Sequence, residues 1–336
     1  MGTLNVRAEA QTLRLAQPFR ISGYVFETAD VVTVTLDDGT HRGRGEAAGV
    51  YYLGDDVAHM LAAIEGARAA VEAGPSREAL RAILPPGGAR NALDAALWEW
   101  EAARAGVSVA ALAGVGEPRP VRTTFTVSAD TPEAMAAAAR GYTQAVAIKM
   151  KLTGELELDI ERVRAIRHAR PDVWLGVDGN QGFAIEELDR LVPALADQSV
   201  SLLEQPLKRG READLDGYKS PVPIAGDESI LSLADVATAP GRFDVINIKL
   251  DKCGGLTEGL LMAAEARRLG LGVMVGTMVC TSLGTAPGFV LGQVADLVDL
   301  DGPTFLASDI GPPVTYRDGT LFAGPEVWGS PEAAFA

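Results

Sequence analysis

The sequence has only two cysteines and three histidines. Cys253 and Cys280 form no CxxC pair, which excludes a thiolate zinc site and a disulfide framework and suits a reducing cytoplasm. His41 follows a turn signal, and His59 and His168 fall in predicted helices, so none stands where the catalytic strand ends are expected. A mechanism that depends on a histidine base is therefore not expected.

Long apolar segments are also missing. No run approaches the roughly 20 residues that cross a bilayer, and the N-terminus lacks the apolar core of a secretory signal. Positive charge is scarce as well, since 30 Lys and Arg face 45 Asp and Glu, for a formal net charge of −15. Such a surface repels phosphate backbones and anionic lipids, so we expect a cytoplasmic protein with neither nucleic-acid nor membrane partners.

The first part of the chain, 1–114, has an α+β pattern. Alternating residues predict strands over 3–15 and 25–36, and the turn signal Asp37-Asp38-Gly39-Thr40 predicts a hairpin whose returning strand covers 41–47. Helical periodicity follows at about 56–73, 76–84 and 89–105. We expect a small separate domain here, completed by the tail at 315–336 packing back on it.

Short apolar runs alternate with helical ones over 115–314. Strands are predicted at 121–127, 145–152, 174–178, 202–205, 223–227, 245–250, 272–277 and 296–301, with helices at about 131–141, 155–169, 185–197, 211–217, 232–238, 256–269 and 284–295. Eight such strands favour a closed β/α barrel. An open doubly wound sheet is the alternative, but neither GxGxxG nor a P-loop is present to support it.

Carboxylates end three consecutive predicted strands of this barrel, at Asp178, Glu204 and Asp227. The carboxyl ends of barrel strands surround one pocket, so the three side chains should converge there. Three ionised carboxylates at close range repel one another unless a cation lies among them. Oxygen ligands select hard cations, so the sequence predicts one Mg²⁺ per subunit, with Mn²⁺ as a possible substitute.

Lysines flank these carboxylates. Lys149 and Lys151 lie on the second predicted strand and Lys249 on the sixth, so a substrate would lie between them. Neighbouring cations make protonation of a lysine costlier, which would allow it to act as a base near neutral pH. A metal ion can bind a substrate carboxylate and stabilise the enolate formed when the α-proton leaves. A base on one face and an acid on the other would invert the stereocentre.

Five motifs in this order resemble the enolase superfamily, in its muconate-lactonizing subgroup. They are Lys149-Met150-Lys151, Val177-Asp178-Gly179-Asn180, Leu203-Glu204-Gln205-Pro206, Gly226-Asp227-Glu228-Ser229 and Asn247-Ile248-Lys249. The resemblance extends over the whole chain. It implies a modified (β/α)7β TIM-type barrel with an N-terminal α+β capping domain, in agreement with the patterns above.

Two further stretches are similar to dipeptide epimerases of the L-Ala-D/L-Glu type: Asn247–Glu258 and Asp299-Leu300-Asp301-Gly302-Pro303. The resemblance implies that Asp299 and Asp301 bind the dipeptide ammonium, for which two carboxylates offer charge-assisted hydrogen bonds. It also implies that the C-terminal residue is epimerised by 1,1-proton transfer.

The resemblance implies further roles for individual residues. Lys151 and Lys249 would be the two acid/base groups and Lys149 their electrostatic partner, with Asp178, Glu204 and Asp227 as metal ligands. Asn180 and Glu228 would support those ligands. Thr126, Thr277 and Met278 would contact the substrate.

The N-terminal loop departs from this type of epimerase. An arginine that reads the glutamate side chain is usual there, and this chain has Gly23 at the corresponding place. Tyr24, Phe26, Tyr51 and Tyr52 make the expected lid aromatic. A hydrophobic dipeptide is therefore expected rather than one that ends in glutamate.

Other functions share parts of this pattern. N-acylamino acid racemases, o-succinylbenzoate synthases and cycloisomerases of the same superfamily also use two lysines, but they need no ammonium-binding pair. A Schiff-base aldolase barrel would use Lys151 or Lys249 without a metal, and a binding barrel would catalyse nothing. We expect a metal-dependent isomerase that acts on a small-molecule dipeptide as a homo-oligomer.

Overall fold

The computed structural model of the protein describes residues 4–21 and 23–330. Within these ranges, no helix combines the length and the apolar character that crossing a membrane requires. The described chain forms a three-stranded antiparallel sheet with its own helices, followed by an eight-stranded parallel sheet and a small three-stranded sheet formed with the tail.

The N-terminal part contains β1 (Asn5–Ile21), β2 (Tyr24–Asp37), β3 (Arg42–Ala47), α1 (Val57–Glu72), α2 (Arg77–Ile83) and α3 (Gly88–Ala105). Helix α3 crosses directly over β3, where a Cβ atom at Gly43 or Gly45 would lie only 1.9 or 2.0 Å from a carbonyl oxygen of the helix. The sheet can approach α3 this closely only because both positions are glycine. Strand β1 is longer than the sequence predicts, so the expected lid loop is the end of a β-hairpin.

The parallel sheet contains β5 (Phe125–Val127), β6 (Ala147–Lys151), β7 (Trp174–Asp178), β8 (Leu202–Glu204), β9 (Ile224–Gly226), β10 (Val245–Lys249), β11 (Gly272–Gly276) and β12 (Leu297–Asp299). The strands follow one another in chain order. The backbone N–H of Thr124, next to β5, donates to the carbonyl of Val298 on β12 at 3.0 Å, which joins the two edges. The sequence prediction of a barrel is confirmed, and the open doubly wound sheet was the wrong alternative.

Helices precede or connect these strands. They are α4 (Val109–Leu112), α5 (Pro132–Gly141), α6 (Leu156–Ala169), α7 (Ile185–Asp197), α8 (Leu233–Val236), α9 (Leu250–Cys253), α10 (Leu256–Arg268) and α11 (Ser282–Gly292). The helix predicted at 211–217 was wrong, because this segment forms only a 3-10 turn at Glu212–Leu215. Glycines bound that turn on both sides, at Gly210 and Gly217, and both have the positive φ that ends a helix.

The segment predicted as one strand over 121–127 is divided. β4 (Val121–Arg122) leaves the barrel and pairs with β14 (Thr320–Phe322), which also pairs with β13 (Thr315–Arg317). The tail then reaches the N-terminal part, where the Trp328 ring N–H donates to the carbonyl of Arg44 at 2.9 Å. The tail therefore contacts both parts of the chain.

Buried polar contacts join the N-terminal part to the carboxyl end of the barrel. Asp94 accepts from the Thr257 hydroxyl at 2.5 Å, Glu46 accepts from the Thr281 N–H at 2.8 Å, and Asp251 accepts from the Ala48 N–H at 3.0 Å. A buried carboxylate without such donors is strongly destabilising, so these contacts specify one orientation of the two parts. That orientation places the β1–β2 hairpin and the turn at Tyr51–Leu53 over the ends of the barrel strands.

Candidate active site

The register of the parallel strands brings the predicted carboxylates together. Lys151 lies beside Asp178, and Asp178 lies beside Glu204, at the last residues of β6, β7 and β8. Asp227 follows the end of β9 directly. One oxygen from each of Asp178, Glu204 and Asp227 lies within 4.8 Å of the others, and all three residues are at most 1% exposed.

Each of these carboxylates accepts a hydrogen bond from a different lysine of the cavity wall. The pairs are Lys151 with Asp178 at 2.6 Å, Lys149 with Glu204 at 3.1 Å, and Lys249 with Asp227 at 2.7 Å. The lysines come from β6 on one side and β10 on the other, so the carboxylate group lies between them. The predicted metal and acid/base residues are therefore in one place.

The group fits a hard divalent cation. All of its donor atoms are oxygens, as Mg²⁺ prefers. Two further oxygens at the same cavity, Asn180 Oδ1 and Glu228 Oε2, are buried without a hydrogen-bond partner among the described residues. Burial and then the charge of Asp178 raise the pKa of Glu204 to about 7. A bound cation would counteract this rise in pKa, because it favours the ionised form of the carboxylate.

The pKa values of Lys149 and Lys249 are raised, whereas neighbouring cations alone would lower them. Burial by itself would lower the pKa of Lys149, but Asp299 and Glu204 hold it above its ordinary value. The pKa of Lys249 is likewise raised, because Asp227 outweighs the effect of burial. Glu204 and Asp227, two of the predicted metal ligands, are therefore among the carboxylates that raise the pKa values of Lys149 and Lys249.

The two aspartates at the end of β12, Asp299 and Asp301, differ in their environments. Asp299 accepts hydrogen bonds from Lys149 and the Thr124 hydroxyl, and these contacts keep the pKa of Asp299 low against the effect of burial. Asp301 accepts from the backbone N–H of Thr126 at 2.6 Å. Burial, and then the charge of Asp299, raise the pKa of Asp301 to about 7. Asp301 is thus the member of the pair that lacks a cationic partner in the described chain.

A cavity of about 270 Å³ is lined by the three lysines and by Asp227, Asp299 and Asp301. Thr126, Thr277 and Met278, for which the resemblance implies contacts with the substrate, also line this cavity. The β1–β2 hairpin closes over the cavity, and the carbonyl of Arg20 near its tip accepts from the Ala129 N–H of the barrel at 3.1 Å.

Two groups of aromatic residues contribute to the cavity wall. The first, which we call the aromatic wall, consists of Phe26, Tyr51 and Tyr52, and the exposed ring of Tyr24 packs on Phe26 and Tyr51 from outside the cavity. The neighbouring ring centroids of these four residues are 4.8–5.9 Å apart. The aromatic wall lies at the Asp227 and Lys249 end, because these charges act directly on the tyrosine hydroxyls. The second group contains Phe19 and Phe305, with ring centroids 4.7 Å apart.

Gly23 does not face the cavity. It is exposed at the hairpin tip, and nothing lies within 4 Å of a Cβ atom built there. Phe26, three residues further along the same hairpin, lines the cavity instead.

Lys252 was also missed. Its side chain is fully buried, and its ammonium contacts Asp227 from the side opposite to the cavity. A signal was present in the sequence, since Lys252 follows Lys249 by three residues within Asn247–Glu258, but a second lysine in a short helix after a strand usually reaches solvent.

Both parts of the chain match known sequence families. Residues 3–114 match the mandelate racemase/muconate lactonizing enzyme N-terminal domain, and residues 131–325 match the enolase C-terminal domain-like family. An L-Ala-D/L-Glu epimerase of Escherichia coli is 40% identical over 96% of this chain and 99% of its own.

Solved structures are similar along the whole chain. An enolase family member from Agrobacterium tumefaciens with homology to dipeptide epimerases, with bound sodium and L-Ala-L-Glu, has a TM-score of 0.92 and 38% identity over 97% of this chain and 100% of its own. A dipeptide epimerase from Enterococcus faecalis, complexed with Mg and L-Leu-L-Tyr, has a TM-score of 0.88 and 28% identity over 98% of both chains.

Proposed function

Because this chain belongs to the mandelate racemase/muconate lactonizing enzyme family of the enolase superfamily, we propose that it is a Mg²⁺-dependent dipeptide epimerase. It inverts the α-carbon of the C-terminal residue. The observation that carries this proposal is the buried group of Asp178, Glu204 and Asp227, held between lysines of β6 and β10 beneath one cavity.

Asp178, Glu204 and Asp227 would hold the metal ion, which when bound supplies positive charge for the substrate carboxylate and for the negative charge that develops as the α-proton leaves. Lys151 and Lys249 are the acid/base residues. One lysine, in its neutral form, takes the α-proton on its Nζ, and the ammonium of the other delivers a proton to the opposite face of the same carbon. The configuration is inverted, and the two lysines exchange roles for the reverse reaction.

Lys149 lies between the proposed metal ligands and the proposed ammonium-binding aspartates. It contacts Glu204 on the metal side and Asp299 on the far side, so it links the two ends of the cavity. Asp301, with Asp299 behind it, binds the substrate ammonium. A buried carboxylate without a cationic partner gains a charge-assisted hydrogen bond when an ammonium arrives.

The C-terminal side chain of the substrate is apolar in this proposal. The relatives from E. coli and A. tumefaciens are associated with Ala-Glu dipeptides, but the aromatic wall offers a glutamate no partner. The cations among the residues that line the cavity are Lys149, Lys151 and Lys249, and each is already paired with a carboxylate. Burying an unpaired carboxylate against phenyl rings is strongly unfavourable.

The proposal is tested by mass spectrometry of deuterium incorporation from D₂O across a dipeptide library with Mg²⁺. We expect exchange of the α-proton of the C-terminal residue, with L-Ala-L-Phe and L-Ala-L-Leu labelled well ahead of L-Ala-L-Glu, and loss of exchange in EDTA. Labelling of N-acylamino acids without labelling of any dipeptide would instead identify an N-acylamino acid racemase. Exchange that persists in EDTA would contradict the metal mechanism.

A substitution in the aromatic wall tests the apolar preference directly. We expect Phe26→Arg to lower kcat/KM for L-Ala-L-Phe by about 10- to 200-fold, the range for a changed apolar pocket contact, and to raise kcat/KM for L-Ala-L-Glu. Val25→Arg is the matched control, because Val25 is 62% exposed on the same hairpin and does not line the cavity. Equal effects of both substitutions, measured as kcat/KM for the two dipeptides, would refute a role for Phe26 in selection.

A further inference from the structure

Asp227 is contacted by two lysines from opposite sides. Lys249 faces the cavity and donates to Oδ2 at 2.7 Å. Lys252, on α9, donates to Oδ1 at 2.5 Å and does not line the cavity. The two oxygens of one carboxylate therefore have different surroundings, one open to the cavity and one enclosed in protein.

The Lys252 ammonium has three acceptors for its three N–H bonds. Besides Asp227 Oδ1, it contacts the carbonyl of Asp227 and the carbonyl of Asn247, the latter at 3.1 Å. An ammonium with every donor used is fixed in orientation. A buried charge of this kind is costly unless it is fully paired, so the contacts of Lys252 are specific rather than incidental.

The other two carboxylates repeat this arrangement with neutral donors. Asp178 Oδ1 accepts the backbone N–H of Asn180 at 2.9 Å, and Glu204 Oε1 accepts the Asn247 side-chain amide at 2.7 Å. In each case the remaining oxygen contacts a cavity lysine. Gly276 leaves room for the Asn247 amide, because a Cβ atom there would lie 2.8 Å from its Oδ1.

We propose that Lys252 and Asn247 are positioning residues of the metal site, which hold the outer oxygens of Asp227 and Glu204 so that the inner oxygens converge. The inference rests on the proposed function only in taking these carboxylates as metal ligands. Without Lys252, Asp227 could rotate and offer both oxygens to Lys249, and its inner oxygen would leave the shared position.

The effect of Lys252→Met on Mg²⁺ and Mn²⁺ binding, measured by isothermal titration calorimetry, distinguishes positioning from charge. Removing a positive charge near a cation site would by itself tighten metal binding. Removing a residue that holds a ligand weakens it, typically by about 10- to 100-fold. We therefore expect Kd for both ions to rise about 10- to 100-fold. An unchanged or lower Kd in the folded variant would overturn the proposal for Lys252.

Arg170→Met is the matched control. Arg170 is also a largely buried cation that donates to carbonyls, those of Tyr142 and Ala145 at 2.7 Å, and it pairs with Asp172. Because it lies at the amino end of the barrel strands, it is expected to lower thermal stability while leaving Kd for Mg²⁺ unchanged.

Asn247→Leu supplies a second, uncharged test and decides the question if Lys252→Met does not fold. It removes the donor to Glu204 without changing any charge, and we expect a Kd increase of about 10-fold. A wild-type Kd for Mg²⁺ in both variants would overturn the positioning inference and leave the proposed metal site standing. A wild-type protein that binds no divalent cation would instead contradict the metal site itself.

Discussion

Lys249→Met is expected to abolish epimerisation while preserving proton exchange from one epimer. Lys151 and Lys249 approach the carboxylate group from β6 and β10, so each can reach only one face of the α-carbon. Inversion needs both faces, and loss of one acid/base group typically costs about 10²- to 10⁴-fold. Exchange needs only the remaining lysine, so the epimer whose α-proton faces Lys151 should still incorporate deuterium.

Lys151→Met should show the mirror image, with exchange confined to the other epimer. The measurement follows deuterium incorporation into each pure epimer of L-Ala-Phe in D₂O by proton NMR, alongside the optical conversion between them. Lys219→Met, which removes an exposed lysine, is the control and should match the wild type. A one-base mechanism would be indicated if one variant lost exchange from both epimers while the other kept exchange from both.

Asp301→Asn is expected to remove most activity toward dipeptides and little toward N-acylamino acids. In the proposed complex the substrate ammonium lies against Asp301, and truncating one partner of a buried hydrogen-bonded charge pair costs about 2–5 kcal/mol. This corresponds to about a 30- to 4,000-fold loss in kcat/KM for L-Ala-L-Phe. Asn keeps an oxygen that can accept the Thr126 N–H, so the fold around the site should persist.

Any residual turnover of N-acetyl-phenylalanine provides the internal control, because that molecule has no ammonium. Asp299→Asn is a less selective variant, since Asp299 also contacts Lys149 and Thr124 and its loss would disturb both substrates. Asp301→Asn activity falling equally for the two substrate types would argue that Asp301 acts on the fold or on the catalytic group rather than on the ammonium.

The barrel could be predicted because its signals are local. Each buried parallel strand is a short apolar run bounded by turn residues, and strands β7 (Trp174–Asp178) and β10 (Val245–Lys249) lie where these runs are. The convergence of the carboxylates could also be predicted, because the carboxyl ends of all barrel strands surround one pocket. The strand prediction was wrong where a distant segment decides the pairing. β4 leaves the barrel and pairs with a tail strand about 200 residues later in the chain.

The sequence by itself determined the barrel, the capping part, the family resemblance and the set of acidic and basic residues at the strand ends. The tertiary structure alone decided which oxygen of each carboxylate contacts a cavity lysine. It also decided that Phe26 rather than Gly23 lines the cavity, and that Lys252 contacts Asp227 without lining the cavity. The physical reason is that residue type and periodicity specify which face a side chain occupies. Its partners depend on segments distant in the chain, whose approach is set by packing.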